Sequence, residues 1–339
     1  MTVVSSGQTS AVSSGSPSGG WIVLSGGILN VLSSGIISGA IDSGGDDSVF
    51  SGGVAVNTTV SSGGFEYVDG GTTTGTIIDS GGQQQLVYED AGVAIGTIIN
   101  SGGLQTLNFN TTASNTTISN GGEQDVFGGS AIGTVIKSGG FENNENSDSG
   151  TIVDSGGYLE VGNFGTSTNV TISGGLAELI ASNGSFVGAF GGAITFAGQG
   201  GELKLDDPSM PTNVISGFAP GDTIDLAGVG FTSGGSVQLH SGNVLQVVES
   251  GATYSLQFNS SQSFSGETFH LVPDGGSGTT IALGQVTTIS AGQTSNNTSV
   301  TRSDSSSATA ARPLRHSKRT PRPSRPIAAA RLTRRHDSC

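Results

Sequence analysis

Two stretches, TIIDSGGQQQL (residues 76–86) and TIINSGGLQTL (residues 97–107), repeat one pattern that decides the fold. In each stretch a threonine and an isoleucine two positions later alternate with period two, which is typical of a short β-strand. The Ser-Gly-Gly that follows provides the positive φ angles of a sharp turn. A second short strand then ends on an apolar residue six positions after the serine. Each stretch therefore predicts a strand, a tight turn and another strand.

The same pattern recurs ten times in the first 180 residues. If the serine or asparagine that opens each turn is the anchor, successive copies are 17 to 21 residues apart. The anchors are Ser6, Ser25, Ser43, Ser62, Ser80, Ser101, Asn120, Ser138, Ser155 and Ser173. Nine copies carry Val or Ile two residues before the anchor, and nine carry Val or Leu six residues after it. One such unit cannot bury its apolar residues alone, but a stack of units can.

The repeats therefore predict an all-β fold, a parallel β-helix or β-solenoid of about ten 18–19-residue repeats that ends in an all-β cap. Strands of neighbouring repeats would lie about 4.8 Å apart and pair in parallel. The predicted core is formed by Val60, Ile78, Ile99, Ile118, Ile136, Val153, Val68, Leu86, Leu107 and Val126. A disordered glycine- and serine-rich linker is the alternative, but linkers do not hold β-branched residues in register.

Composition divides the chain into four predicted regions. Residues 1–180 are the repeat array, and residues 181–285 are an all-β capping region of alternating strands without the period. Residues 286–301 begin a second array, because VTTISAGQTSNNTSV (286–300) resembles the motif at residues 3–15. Residues 302–339 form a basic tail. The tail is interpreted as disordered, with a nucleic-acid or lipid-binding arm and an out-of-frame translation as alternatives.

Charge restricts the partners of the main body. The whole chain has a formal net charge of −14, but residues 1–301 hold 2 cations and 24 acids, which gives −22. The tail holds 10 cations and 2 acids, which gives +8. The acidic main body would repel nucleic acid and anionic lipid. The chain has no run of about 18 apolar residues and no basic, apolar leader, so no membrane-spanning segment and no standard secretion signal are predicted.

The in-phase motif T-x-[VI]-x-S-G-G-x-x-x-[VL] resembles the passenger repeat of AIDA-type autotransporter adhesins over roughly the first 180 residues. This resemblance implies an extracellular or cell-surface β-helical rod that is not an enzyme. It implies partners among host-cell surface glycans and proteins or other copies of the protein. It also implies a glycosyltransferase as partner, since many members carry heptose on repeat hydroxyls. Function would then come from many weak contacts along a rigid rod, which add up through avidity.

The resemblance makes the repeat hydroxyls candidate glycan acceptors. These candidates are Thr58, Thr76, Thr97, Thr116, Thr134, Ser62, Ser80, Ser101 and Ser138. Strand propensity alone is the alternative explanation of the threonines.

Acidic residues in the sequence raise two further hypotheses, calcium binding and catalysis. Asp46, Asp47 and Asp222 follow glycines in turn-like sequences and are weak calcium candidates, but the tandem calcium-binding nonapeptide is absent, so no cofactor is predicted. Paired carboxylates also allow a glycosidase or lyase on the same scaffold. The low aromatic content, 6%, argues against such an enzyme, because few aromatic side chains are available to bind sugars. We interpret the acidic pairs as solvated residues of surface turns. A passive spacer is the third function considered.

Overall fold

The computed structural model describes residues 1–13, 18–87, 90–162, 164–181 and 188–285. Within these ranges every regular element is a β-strand, and the strands wind into stacked coils. None of the described residues form a helix of the length and apolar character needed to cross a membrane. The predicted second array at 286–301 and the basic tail at 302–339 lie outside the described residues.

Each coil has three short strands, which define three faces. Face 1 is the strand before the glycine turn, face 2 is the strand after it, and face 3 leads into the next coil. Thr59–Ser61, Phe65–Asp69 and Thr72–Thr74 are the three strands of one coil. Parallel pairing joins each strand to the equivalent strand of the next coil, as Ile78 pairs with Ile99 and Ile99 with Ile118. The coils therefore form a three-sided parallel β-solenoid, as the repeat predicted.

The strands are grouped here by face. Face 1 contains Thr2–Val4, Trp21–Leu24, Ile41–Ser43, Thr59–Ser61, Ile77–Ile78, Ile98–Ile99, Thr117–Ile118, Val135–Ile136, Ile152–Asp154 and Val214–Ser216. Face 2 contains Thr9–Val12, Ile28–Val31, Asp46–Phe50, Phe65–Asp69, Gln83–Leu86, Leu104–Leu107, Glu123–Val126, Phe141–Asn144, Tyr158–Val161, Leu176–Leu179, Glu202–Leu205 and Thr223–Leu226. Face 3 contains Ser18–Gly19, Ile36–Ser38, Val54–Val56, Thr72–Thr74, Val93–Ile95, Thr112–Ser114, Ser130–Ile132 and Ser147–Ser149. Two long strands, Thr166–Ser173 and Ala189–Phe196, run from face 3 into face 1.

The ten side chains predicted for the core, from Val60 to Val153 on face 1 and from Val68 to Val126 on face 2, all have 0% exposure. They form continuous columns, because each coil places the same position over the last one. Burying one such aliphatic side chain contributes roughly 1.5–3 kcal/mol to folding.

The two glycines of each turn have different tasks. Gly102 has a φ of +76°, a conformation that L side chains rarely adopt. Gly103 packs directly against the coil below, since a Cβ at this position would lie 2.5 Å from the carbonyl oxygen of Ile78. The Ser-Gly-Gly motif is thus explained, because its first glycine forms the bend and its second glycine allows the backbones of two coils to approach closely.

Two coils depart from the predicted register. The sequence placed Ile41 in the inward column, but Ile41 is 43% exposed and Asp42 occupies the column between Val23 and Val60. The turn after Asp42 is one residue shorter than in the neighbouring coils, so the inward position moves by one. The same shortening places Ile172, rather than Thr171, in the buried column.

The solenoid also extends further than the repeat period. The sequence predicted an end near residue 180, yet parallel pairing continues through Glu202–Leu205 to Thr223–Leu226. After that the chain forms antiparallel strands, Ser236–His240, Val244–Glu249, Ala252–Phe258, Glu267–Pro273 and Thr279–Gln285. These strands cover the last coil and close it with a cluster of phenylalanines around Phe218 and Phe258.

Candidate functional site

The turn serines form a regular outer edge of the solenoid. Ser62, Ser80, Ser101 and Ser138 are all exposed, and we call this row the serine edge. A ladder of backbone hydrogen bonds holds the turns together, for example from the Gly81 amide to the Gly102 carbonyl over 3.0 Å. One hydroxyl is therefore presented per coil, at the spacing of about 4.8 Å between paired strands, with Asn120 in the serine position of one coil.

The glycine beside each serine leaves its hydroxyl accessible. A Cβ on Gly102 would lie 3.1 Å from Ser80 Oγ, and a Cβ on Gly121 would lie 2.9 Å from Ser101 Oγ. Any larger residue at these positions would therefore crowd the hydroxyl of the preceding coil. The serine edge is a set of unobstructed hydroxyls in a fixed row.

The threonine candidates are in the interior, which corrects their assignment as glycan acceptors. Thr58, Thr76, Thr97, Thr116 and Thr134 are at most 1% exposed. Each lies two residues before a buried Val or Ile and therefore points to the same side of the strand. A glycosyltransferase cannot reach these five hydroxyls while the coils are folded.

Four of these threonines bind a column of buried polar residues that sequence analysis missed. On face 2, Gln84, Gln105 and Gln124 stack in register, and we call these three residues the amide ladder. Gln105 Nε2 donates to Gln84 Oε1 over 2.5 Å, and Gln124 Nε2 donates to Gln105 Oε1 over 2.6 Å. The signal was present in the sequence, because each glutamine lies two residues before the buried Leu or Val column.

The threonine hydroxyls complete the hydrogen bonding of the ladder. They donate to the amide oxygens of Gln84, Gln105 and Gln124 over 3.1–3.2 Å, and the donors are Thr97, Thr116 and Thr134. Thr76 instead donates to the carboxyl group of Glu66 over 2.9 Å. Buried polar groups are stabilising only when they are paired in this way.

The calcium candidates do not converge on one point. Asp46 and Asp47 are neighbours on one strand and point to opposite faces, so Asp47 is fully buried in the core and is not a solvated turn residue. Asp222 is also buried, and its carboxylate accepts the backbone amides of Gly201 and Ala219 over 3.0 Å each. Among the described residues no group of three or more His, Cys, Asp or Glu side chains is arranged to hold a metal ion.

The outer surface of faces 1 and 3 is flat and repetitive. Its exposed side chains are mainly β-branched, with Ile95, Ile98 and Ile132 between 38% and 48% exposed. An open cavity of about 430 Å³ lies at the cap between Ser216 and Gln262, and Glu267 is the one carboxyl group in its lining. A glycosidase needs two carboxylates across its cleft, so this cavity lacks that arrangement.

Comparison with known proteins identifies relatives. Residues 90–140 match the model of a family described as adhesin of bacterial autotransporter system, probable stalk. A crystal structure of a hyper-glycosylated TibA fragment, whose glycosylation is catalysed by TibC, is 31% identical and aligns with 63% of this chain and 86% of that chain, with a TM-score of 0.48. No curated protein is significantly similar to the chain.

Residues 90–140 contain three copies of the Ser-Gly-Gly or Asn-Gly-Gly turn, and two of them have both a buried threonine before the turn and a buried glutamine after it. The family match therefore covers Gln105 and Gln124 of the amide ladder and Ser101 and Ser138 of the serine edge. The matching family is described as an adhesin rather than as an enzyme, and autotransporter adhesins are exposed at the cell surface or secreted. The chain therefore belongs to the AIDA-type autotransporter adhesins, as a non-catalytic β-solenoid passenger.

Proposed function

We propose that the chain is an adhesive stalk that presents a row of O-glycosylated serines along the serine edge. The observation that carries this proposal is the row of exposed serines Ser62, Ser80, Ser101 and Ser138. A glycine of the following coil leaves room beside the hydroxyls of Ser80, Ser101 and Ser138. A glycosyltransferase would approach the rod from the side and modify successive coils. A similar protein, the TibA fragment, is hyper-glycosylated in a reaction catalysed by TibC.

The adhesive contact is multivalent. Each coil offers the same small polar group, so one contact is weak, whereas a ligand surface that meets several coils gains through effective concentration. The ligand would be a host-cell surface or a second copy of the chain.

Intact-mass spectrometry of the secreted product, with site mapping, tests the glycosylation. We expect added hexose- or heptose-sized masses on the four serines and none on Thr58, Thr76, Thr97, Thr116 or Thr134. Replacing all four serines with alanine should remove most of the added mass and reduce binding of cells to the purified protein. The matched control replaces four serines of face 3 with alanine, which are Ser38, Ser114, Ser130 and Ser149. The proposal fails if the product has its bare mass or if the control variant loses as much glycan.

A passive spacer is the second candidate, because the matching family is described as a stalk. Deleting residues 81–101 removes one coil, including Ser101, and joins Ser80 to Gly102 in register. A spacer would keep its function after this deletion. An adhesive serine edge would lose avidity, because one of its serines is removed. Comparing cell binding by the deletion variant and by the full chain therefore separates the spacer function from the adhesive function.

A further inference from the structure

The amide ladder has a direction. Each glutamine donates its Nε2 hydrogen toward the preceding coil and presents its Oε1 to the following coil, from Gln84 through Gln105 to Gln124. At its first end, Gln84 Nε2 donates to Glu66 Oε2 over 2.5 Å. At its last end, the same direction leaves Gln124 Oε1 facing the next coil, where Glu142 stands in register with Gln124.

A carboxyl group therefore terminates the ladder at each end. A row of primary amides that donate in one direction shows N–H groups at one end and oxygens at the other. A carboxylate satisfies the N–H end. Each amide oxygen within the ladder accepts from a threonine and from the next glutamine, whereas Gln124 Oε1 accepts from Thr134 and needs a second donor from the next coil. A carboxyl group donates only when it is protonated. If every amide were reversed, Glu66 would have to donate instead of Glu142. Two glutamates around a directional ladder cannot both be charged and both be satisfied.

The surroundings of Glu142 keep compensating charge away. Glu142 has 0% exposure, and within the described part of the chain neither of its carboxyl oxygens accepts a hydrogen bond. The next coil of face 2 places Leu159 in register with it, and the titratable group that faces it is Asp148 on face 3. The two described lysines are engaged elsewhere, Lys137 with Asp154 and Lys204 with Glu178 and Asp206.

We propose that Glu142 is a neutral carboxylic acid that closes the amide ladder as a proton donor, so that the central coils loosen when rising pH removes its proton. The proton has two acceptors within the core, the free side of Gln124 Oε1 and the carboxyl group of Asp148. Asp148 is held as an acceptor by the hydroxyl of Thr151, which donates to its Oδ1 over 2.5 Å. Glu142 and Asp148 therefore share one proton in the folded solenoid.

Burial supports this assignment. Removal from water raises the pKa of Glu142 well above its usual value, and the charge of Asp148 raises it further. Burial also raises the pKa of Asp148 to about 6. A carboxyl group whose pKa is higher in the folded than in the unfolded chain stabilises the fold below the unfolded pKa. This contribution declines as pH rises from the unfolded toward the folded pKa.

Thermal unfolding of the full chain at several pH values tests the proposal, with Glu142→Gln as the variant. Glutamine extends the ladder with a donor that does not titrate, so the variant should melt close to the wild type at about pH 5 and at least about 3 °C above it at about pH 9. The control is Asp90→Asn, an exposed acid outside the core. Its melting temperature should differ from that of the wild type by the same amount at every pH.

A second measurement does not depend on stability. The infrared carbonyl band of a protonated carboxyl group should be present in the wild type near neutral pH and should be weaker in Glu142→Gln. If Glu142→Gln does not fold, Asp148→Asn removes the facing charge and should lower the pH sensitivity in the same direction. A constant difference between wild type and Glu142→Gln across the pH range, or an unchanged carboxyl band, would overturn the proposal.

Discussion

The middle and the C-terminal coils fill the same inward column of face 2 with opposite chemistry. From Glu66 to Glu142 the column is polar, whereas from Leu159 to Ile224 it is apolar, and the two halves are continuous in register. Both halves are fully buried. The comparison shows that a β-solenoid does not require apolar inward residues. A polar inward column is compatible with burial where neighbouring coils supply its hydrogen-bond partners, as they do for Gln84, Gln105 and Gln124.

The two halves should therefore depend on different features. The apolar half is stabilised by buried apolar area and close packing, so the free energy of unfolding falls with the volume that a substitution removes. The polar half is stabilised by hydrogen bonds along the amide ladder, so its losses scale with the number of groups that a substitution leaves without a partner. The polar half also fixes the register of the coils, because an amide that is shifted by one coil or one residue loses its hydrogen-bond partners.

The largest expected loss is in the apolar half, from Phe258→Ala. Phe258 is fully buried, and its ring lies 5.3–5.7 Å from those of Phe218, Phe264 and Phe269. Truncation should cost roughly 3–5 kcal/mol and expose the end of the last coil. Urea unfolding, with hydrogen exchange to locate the loss, measures this effect.

Phe109→Ala is the matched control for the phenylalanine. Phe109 is 66% exposed, so its truncation should change the free energy of unfolding by less than about 0.5 kcal/mol. Equal losses in the two variants would contradict the role of the phenylalanine cluster as the seal of the apolar half.

The next effect is in the polar half, from Gln105→Leu. Leucine fills a similar volume but leaves Gln84 Oε1 and Gln124 Nε2 without the partners that Gln105 provides. We expect a loss of roughly 2–4 kcal/mol, since each buried group without a partner costs about 1–3 kcal/mol and added apolar area offsets part of this. The loss should appear as faster hydrogen exchange in the coils on both sides of residue 105.

Gln85→Leu is the control that separates the loss of buried hydrogen bonds from the change of residue type itself. Gln85 is next to Gln84 in sequence but points outward, so the same change of residue type should alter the free energy of unfolding by less than about 0.5 kcal/mol. If Gln105→Leu were as stable as the wild type, the distinction between the two halves would disappear, because area alone would then decide stability.

The sequence predicts the apolar columns directly from residue type, whereas the polar column follows only from the parity of positions along the strand. Spacing and period two predicted the buried ladder from Val60 to Val153. The same parity applied to Thr76 beside Ile78, and to Gln84 beside Leu86, would have predicted that these polar residues also point inward. Their type suggested the surface, and the interior location of Thr97 and Gln105 was missed for that reason.

Two other features could not be predicted from spacing. The turn after Asp42 is shorter by one residue, which exchanges the positions of Ile41 and Asp42 without changing the Ser-Gly-Gly motif. Beyond residue 180, the long strand Ala189–Phe196 passes from one face to the next without a glycine turn of the usual form. The coils continue there although the sequence period has ended.

The smallest effect distinguishes the two kinds of repeat hydroxyl, through Thr97→Val and Ser101→Ala. Thr97 Oγ1 donates to Gln84 Oε1 and accepts from Gln105 Nε2, so valine should cost roughly 1–2 kcal/mol although its shape is nearly the same. Ser101 is exposed on the serine edge, and alanine there should change the free energy of unfolding by less than about 0.5 kcal/mol. Urea unfolding of unglycosylated protein measures both. A loss in Ser101→Ala that equals the loss in Thr97→Val would mean that the serine edge, like the threonine column, maintains the fold rather than being free to carry glycan.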